Sequence, residues 1–243
     1  MLLLMVLGCT DYHSSDLYET QAFNPSFEAT FDGDDIDASA TLSMDERIDD
    51  EGLDFTADYA VLAADDTLAV SWSDHETQLQ SAGGLSEHVY VGAIKDAAPA
   101  SGALIRFSFE RPDERAVRGS YCRLPNNFVI TEPQGDRFLN RDKYSRSDDD
   151  VVVRWETSGE SDYSVEVFLL SSCGDYARGE AQEDDGVWVF EAGDYSNEVS
   201  NRSDSCSATV QVRQIRPGVI AAPFGYGDIQ CTQERQVEFT LTE

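Results

Sequence analysis

The sequence predicts an all-β protein built as two tandem antiparallel β-sandwich domains. Three observations carry that expectation. Apolar and polar residues alternate with a period of two in segment after segment, short clusters rich in Asp, Gly and Ser separate those segments, and no stretch sustains the 3.6-residue apolar period of a helix. Alternation marks a strand with one buried face, because successive side chains point to opposite sides of a sheet. With 41% hydrophobic and 10% aromatic residues the chain can build a packed core, and 243 residues suit one large or two medium domains.

Taken in order, Ile36, Ala38, Ala40, Leu42 and Met44 alternate with Asp37, Ser39, Thr41 and Ser43. Leu68, Val70 and Trp72 repeat the pattern, as do Ala103, Ile105, Phe107 and Phe109. The second half supplies Val151, Val153 and Trp155, then Tyr163, Val165, Val167 and Leu169, the run Val187 to Phe190, Ala208, Val210 and Val212, and finally Val237, Phe239 and Leu241. Asp32-Gly33-Asp34, Ala64-Asp65-Asp66, Gly83-Gly84, Ser158-Gly159 and Asp185-Gly186 between them carry turn chemistry. Many short strands at a spacing of roughly ten residues read as a sandwich, not as βαβ units. The charged segment from Glu110 to Arg118, containing Pro112 and followed by Gly119, interrupts the pattern. It predicts a boundary there, with one sandwich over 27–115 and a second over 116–243; a single elongated sandwich is the competing organisation.

The N-terminus reads differently. Met1 to Leu7 are apolar and uncharged, and the run stops at Gly8-Cys9 before a polar stretch. Eight helical residues cover about 12 Å, too little to span a hydrocarbon core of about 30 Å. Val6, Gly8 and Cys9 occupy the places that define the lipobox of bacterial lipoproteins, which the segment resembles. The resemblance implies a signal-peptide remnant over 1–8, cleavage before Cys9, and lipidation of its thiol. In that family Asp directly after the cysteine is the usual inner-membrane retention signal. Thr10 stands there instead, which implies lipid anchoring to the outer membrane of the cell envelope. Residues 9–26 are then expected to be the lipidated cysteine and a flexible tether. The two sandwiches resemble, in architecture alone, the immunoglobulin-like modules of bacterial envelope proteins.

Cysteine usage agrees with export. Besides Cys9 there are Cys122, Cys173, Cys206 and Cys231, an even number that an oxidising compartment pairs. Four cysteines allow three connectivities. Cys173 ends one expected strand and Cys206 begins another, which favours Cys173 with Cys206 and leaves Cys122 with Cys231. No Cys-x-x-Cys or nearby His gives any of them zinc-ligand spacing.

Charge narrows the partners. The chain carries 17 Lys plus Arg against 47 Asp plus Glu, a formal net charge of −30, and only Lys95 and Lys143 are lysines. Residues 1–115 hold 5 basic and 24 acidic residues; residues 116–243 hold 12 and 23. Such a surface repels phosphates, so nucleic acid is not an expected partner, and attachment to a membrane must come from the lipid. An Asp-rich, Lys-poor surface also keeps a protein soluble where salt screens self-repulsion.

Chemistry-bearing patterns are few. There is no Gly-x-Ser-x-Gly elbow, His-Glu-x-x-His or phosphate-cradling glycine loop, and no cofactor is expected. His75 beside Asp74 and His88 beside Glu87 flank the Gly-Gly loop and form a conceivable metal pair. Asp32, Asp34, Asp35 and Asp37 crowd one turn, Asp148, Asp149 and Asp150 precede a core strand, and Asp184 and Asp185 precede another. Calcium takes six to eight oxygens, so these clusters, with Asp148 to Asp150 foremost, are the weak candidates for a cation, against solvated turns as the ordinary reading. Tyr195, Phe224 and Tyr226 lie in loop-like sequence and offer rings to a sugar or protein partner, or to packing beneath a loop. The expectation is a non-enzymatic envelope lipoprotein with a structural or binding role toward an envelope protein or glycan. A carbohydrate- or calcium-dependent binding module and an acid-residue envelope hydrolase are the alternatives.

Overall fold

Phe23, Phe27, Ala29 and Phe31 share a period of two with the segments above, and they open the first core. The computed structural model describes residues 12–44, 59–112, 114–134, 138–140, 150–157, 159, 162–172, 176–181, 184–191 and 205–242. Its strands are β1 (Tyr12–Ser14), β2 (Phe23–Phe31), β3 (Ile36–Met44), β4 (Tyr59–Val61), β5 (Thr67–Trp72), β6 (His75–Gln78), β7 (Gln80–Ser81), β8 (Val89–Ile94) and β9 (Leu104–Glu110). They continue as β10 (Val117–Arg123), β11 (Ile130–Glu132), β12 (Phe138–Asn140), β13 (Val151–Trp155), β14 (Ser164–Ser171), β15 (Tyr176–Ala181), β16 (Val187–Phe190), β17 (Ser205–Pro217) and β18 (Asp228–Thr242). The helical elements among the described residues are single 3-10 turns, so the all-β class stands.

One large sheet runs in the order β1-β4-β3-β2-β18-β17-β14-β15, with β8 beside β3 and β12 beside β18. A four-stranded sheet, β10-β9-β5-β6, closes a core over one end of it; a three-stranded sheet, β11-β13-β16, closes a second core over the other. In the first core Phe27 stacks on Phe107 at 4.8 Å and Phe23 meets Phe109 edge-on at 6.0 Å, all four fully or almost fully buried. Each such ring contributes about 1.5–3 kcal/mol by leaving water. In the second, Val151, Val153 and Trp155 face Val165, Val167, Leu169, Val210 and Val212. Gly179 on β15 admits the Trp188 indole: a Cβ there would stand 2.1 Å from Cε2 of that ring.

The cores follow one another along the molecule, but the chain does not divide between them at residue 115. β10 belongs to the first sandwich, whose core extends through Leu124 and regains the chain at Ala221, Phe224, Ile229 and Cys231. The cause is the hairpin of β17 and β18, paired rung by rung from Ser205↔Thr242 to Pro217↔Gln230, far longer than a typical strand of five or six residues. Its far end pairs in parallel with β2, placing Cys231 opposite Ala29. Between the apolar ends its core-side residues turn polar. Gln214 is fully buried, Arg216 reaches the Leu124 carbonyl at 3.3 Å and Asp162 at 3.0 Å, and the Arg235 guanidinium lies over Phe31 at 5.2 Å and Phe128 at 5.9 Å.

The expected tether over residues 9–26 is also corrected. From Tyr12 onward the chain is folded: β1 pairs in parallel with β4, Ser15 is fully buried, and Phe23 begins β2 inside the core. Ser14, Asp16, Glu19 and Gln21 are exposed, but Ser15 and Thr20 are buried and the backbone of the stretch docks on Arg111. That guanidinium donates to the carbonyls of Ser15 (2.6 Å) and Tyr18 (2.8 Å) and to Glu114 (2.6 Å) and Asp66 (3.3 Å), and it lies 5.7 and 5.6 Å from the rings of Phe23 and Phe109, which touch each other edge-on. The Ser15 hydroxyl donates to Asp66 at 2.5 Å, and Thr20 donates to Glu114 at 2.5 Å.

Candidate functional site

With 17 basic side chains in a chain of net charge −30, where each cation goes decides what the surface can recognise. Most of the described ones face a carboxylate: Lys95 with Asp35, Arg111 with Asp66 and Glu114, Arg118 with Glu110, Arg154 with Glu132, Arg178 with Glu166 and Glu180, Arg213 with Glu234, and Arg216 with Asp162. Arg106 makes no ion pair among the described residues, and Arg123 donates to the Gly102 carbonyl at 3.2 Å. Both stand on the solvent side of the four-stranded sheet. Alternation places them there: Ile105, Phe107 and Cys122 point into the core, so Arg106, Tyr121 and Arg123 point out.

Register brings these three together. Tyr121 lies directly opposite Arg106, and Arg123 is the next outward residue of β10. Tyr121 keeps 37% of its surface exposed, and Val219, half exposed, continues the patch. Val219 also closes the edge of β10. Its N–H donates to the Tyr121 carbonyl at 2.8 Å, and the Tyr121 N–H donates back at 2.9 Å. The exposed feature is thus a face of side chains, not a free strand edge.

The opposite, outer face of the large sheet carries a groove of about 690 Å³ lined by Glu28, Thr30, Asp37, Ser39, Arg213 and Glu234 among others. Arg213 is held by Glu234 at 2.8 Å and lies over the Phe168 ring, so the cation of this groove is already neutralised.

The expected acidic clusters are accounted for by internal partners where they are described. One Asp32 oxygen accepts the Asp34 and Asp35 N–H groups, both at 3.0 Å, an ordinary turn device. Asp35 accepts from Lys95 at 2.5 Å and from the Asp96 N–H; that hydrogen bond from Lys95, foremost, holds its carboxyl below the usual range and raises the Lys95 pKa. Asp184 accepts from the Trp155 indole at 2.5 Å and from the Tyr163 hydroxyl. At Glu114 burial pushes the pKa up, but the two Thr20 hydrogen bonds and the Arg111 charge outweigh it and leave the carboxyl below its ordinary value. Asp150 is exposed, whereas Asp148 and Asp149 lie outside the described residues. His75 stacks on Trp72 at 5.6 Å and His88 sits against Tyr59 at 4.3 Å; the described residues hold no group of three or more His, Cys, Asp or Glu suited to a metal.

Cys122 and Cys231 are bridged, with Cα atoms 5.5 Å apart, inside the first core. The pairing is the expected one, but it closes the first sandwich, not the second. Cys206 is buried and disulfide-bonded; Cys173 lies outside the described residues, as do Cys9 and Tyr195. Phe224 packs beneath its loop against Phe27 and Phe109, while Tyr226 is 78% exposed. The Arg106, Tyr121 and Arg123 face was not singled out from the sequence. Its signal was legible only once Ile105, Phe107 and Phe109 had fixed which side of that strand is core.

No family model and no curated protein matches this chain. Among solved structures similar to it, a Salmonella alpha-2-macroglobulin mutant is 10% identical with a TM-score of 0.25; the match covers 97% of this chain and 16% of that one. The native E. coli alpha-2-macroglobulin gives 8% identity and a TM-score of 0.23, over 95% and 15% of the two chains. The immunoglobulin domains of Dpr2, in complex with those of DIP-Theta, give 9% and 0.25, over 90% of this chain and 99% of that one. The chain thus spans about a sixth of the length of the macroglobulins it matches. Likenesses this distant bear on neither activity nor partner.

Proposed function

We propose that this protein is a non-enzymatic envelope lipoprotein, held by a lipid on Cys9 at the outer membrane, that binds or spaces other envelope components. The observation that supports the reading best is the scaffold itself. Two cores share one continuous sheet, a buried disulfide closes the first of them, and the described acidic clusters are engaged in holding turns and loops together. A rigid body of this kind presents wide side-chain faces to a partner. Disulfide bonding suits an oxidising compartment such as the periplasm. Among the described residues no helix is long and apolar enough to cross a membrane, so the lipid would supply the attachment.

The docked N-terminal segment sharpens the anchoring geometry. From Cys9 to Tyr12 there are three Cα steps, which span at most about 11 Å at full extension. A lipid on Cys9 would hold the first sandwich at the headgroups instead of lifting it clear. Labelled palmitate should enter the full-length protein, expressed with whatever upstream sequence its natural start provides, and Cys9→Ser should abolish incorporation. Equal labelling of the variant would end the lipoprotein reading, and crosslinking in intact cells would identify the component it touches.

A further inference from the structure

We infer that the solvent face of the four-stranded sheet centred on Tyr121 binds an acidic polysaccharide, one that carries a carboxylate on its sugar rings. The inference deepens the binding role proposed above and rests on it.

Charge complementarity sets the sign of the ligand. In a chain of net charge −30, Arg106 and Arg123 are the exposed guanidinium groups that face outward on one sheet without a carboxylate beside them among the described residues. Arg118, further along the same strand, is neutralised by Glu110. Two uncompensated guanidinium groups on neighbouring strands attract an anion, and their planar forks match a carboxylate with two hydrogen bonds.

The ring between them sets the class. Tyr121 is directly opposite Arg106 and two residues from Arg123, so this partly exposed aromatic side chain has one cation across the strand and another along it, the diagonal neighbours lying about 7–8 Å apart. A sugar ring lays an apolar face on an aromatic ring, and a uronic-acid unit carries its carboxylate at the rim of that same ring. One unit stacked on Tyr121 therefore offers its carboxylate to Arg106 or Arg123 without bending either strand. An acidic polypeptide would bind differently. The economical way for a peptide to dock on a sheet is to add a strand at its edge, and Val219 already occupies the hydrogen-bonding groups of Tyr121 at that edge. What remains is recognition by side chains of a ligand that is itself flat, ringed and anionic.

The test is calorimetric titration of the full-length protein with polygalacturonate, neutral dextran and polyglutamate, at low salt and at about 0.15 M salt. Polygalacturonate should bind at about 0.15 M salt, where screening removes the long-range repulsion from the −30 chain and leaves the contacts at the two guanidinium groups, and dextran should not. Arg106→Gln with Arg123→Gln should weaken binding about tenfold, as two exposed charge contacts imply, and Tyr121→Ala should do the same. Arg178→Gln, an ion-paired arginine on the other sheet, should leave binding unchanged. Melting temperatures establish that each variant is folded. Absence of polygalacturonate binding at about 0.15 M salt, full binding by the folded double variant, or equally tight binding of polyglutamate would each overturn the assignment. Palmitate labelling at Cys9 is independent of all three, so the anchor and the ligand fail separately.

Discussion

Replacing Arg111 by methionine tests how the N-terminal segment is held. The substitution keeps an apolar stem of similar length against Phe23 and Phe109 and removes every donor. Four acceptors lose the Arg111 donor: the carbonyls of Ser15 and Tyr18, and the carboxylates of Asp66 and Glu114, which keep only the Ser15 hydroxyl and the Thr20 N–H and hydroxyl. Asp66 decides the size of the effect. Its side chain is 4% exposed and that of Arg111 is 7% exposed, so water neither screens the pair nor rescues the carboxylate left behind. Removing one member of a buried pair typically costs about 3–5 kcal/mol. At about 2–4 °C per kcal/mol for a chain of this size, the melting transition of the first sandwich should fall by about 6–20 °C. Circular dichroism reads the fall, and limited proteolysis should now cut within residues 12–22. Adding Asp66→Asn to Arg111→Met should recover part of the loss, because the buried charge goes while the Ser15 hydroxyl keeps an acceptor. A drop below about 2 °C, or an uncut N-terminal segment, would refute the claim that Arg111 clasps it.

Reducing the Cys122–Cys231 bridge, which links residues 109 apart, should cost about 4–5 kcal/mol on the chain-entropy model; the urea midpoint with and without reductant measures it. Gly179→Ala should destabilise the second sandwich by about 1–3 kcal/mol, because the new methyl collides with the Trp188 indole, and near-ultraviolet circular dichroism should report the displaced ring. The carboxyls of Asp35 and Glu114 titrate lower in the folded state than in the unfolded one, so their contribution is present above about pH 4–5 and lost as pH falls through their folded values. Lys95→Gln should move the Asp35 titration, followed by carbon-detected NMR, back up toward the ordinary range. Ser71 lies opposite Arg106 on one side and Glu76 on the other, so Ser71→Glu should gain a cross-strand ion pair, lose that gain again to like-charge repulsion, and leave stability nearly unchanged while weakening polygalacturonate binding by occupying Arg106. Unchanged affinity in the folded variant would contradict the proposed face.

The strands that alternate were legible because a half-buried strand writes its burial into the sequence. Ile36 to Met44, Leu68 to Trp72 and Val165 to Leu169 form strands with the expected residues inward. The first strand of the core carried the same signal in Phe23, Phe27, Ala29 and Phe31, yet the polar residues before it suggested a tether. The backbone carbonyls of Ser15 and Tyr18 accept from Arg111, a partner more than ninety residues away that no local pattern reveals. The boundary was obscured for a related reason. Polar residues at 110–118 are where the chain turns between two strands of one sheet, whereas the real passage between cores, Leu124 to Phe128, is short and apolar at both ends. The pairing of Cys122 with Cys231 is the expected one but lies in the other core, since counting cysteines does not show which sheet a returning strand joins.

That returning strand gives the architecture its consequence for folding. The first sandwich is assembled from residues up to Leu124 and then waits for the chain to supply Ala221 to Cys231, so the Ser26 side chain meets Asp228 across a separation of 202 residues. Contacts this distant close slowly, because the loop entropy is lost before the apolar contacts are gained. Until β18 arrives, β2 has an open edge and the inner faces of Phe27 and Ala29 lack the cover that Ile229 and Phe224 provide. The second core is closed by the other half of the same hairpin, through Val210, Val212 and Phe239. One hairpin therefore completes both sandwiches, and neither core can be removed without taking strands from the other.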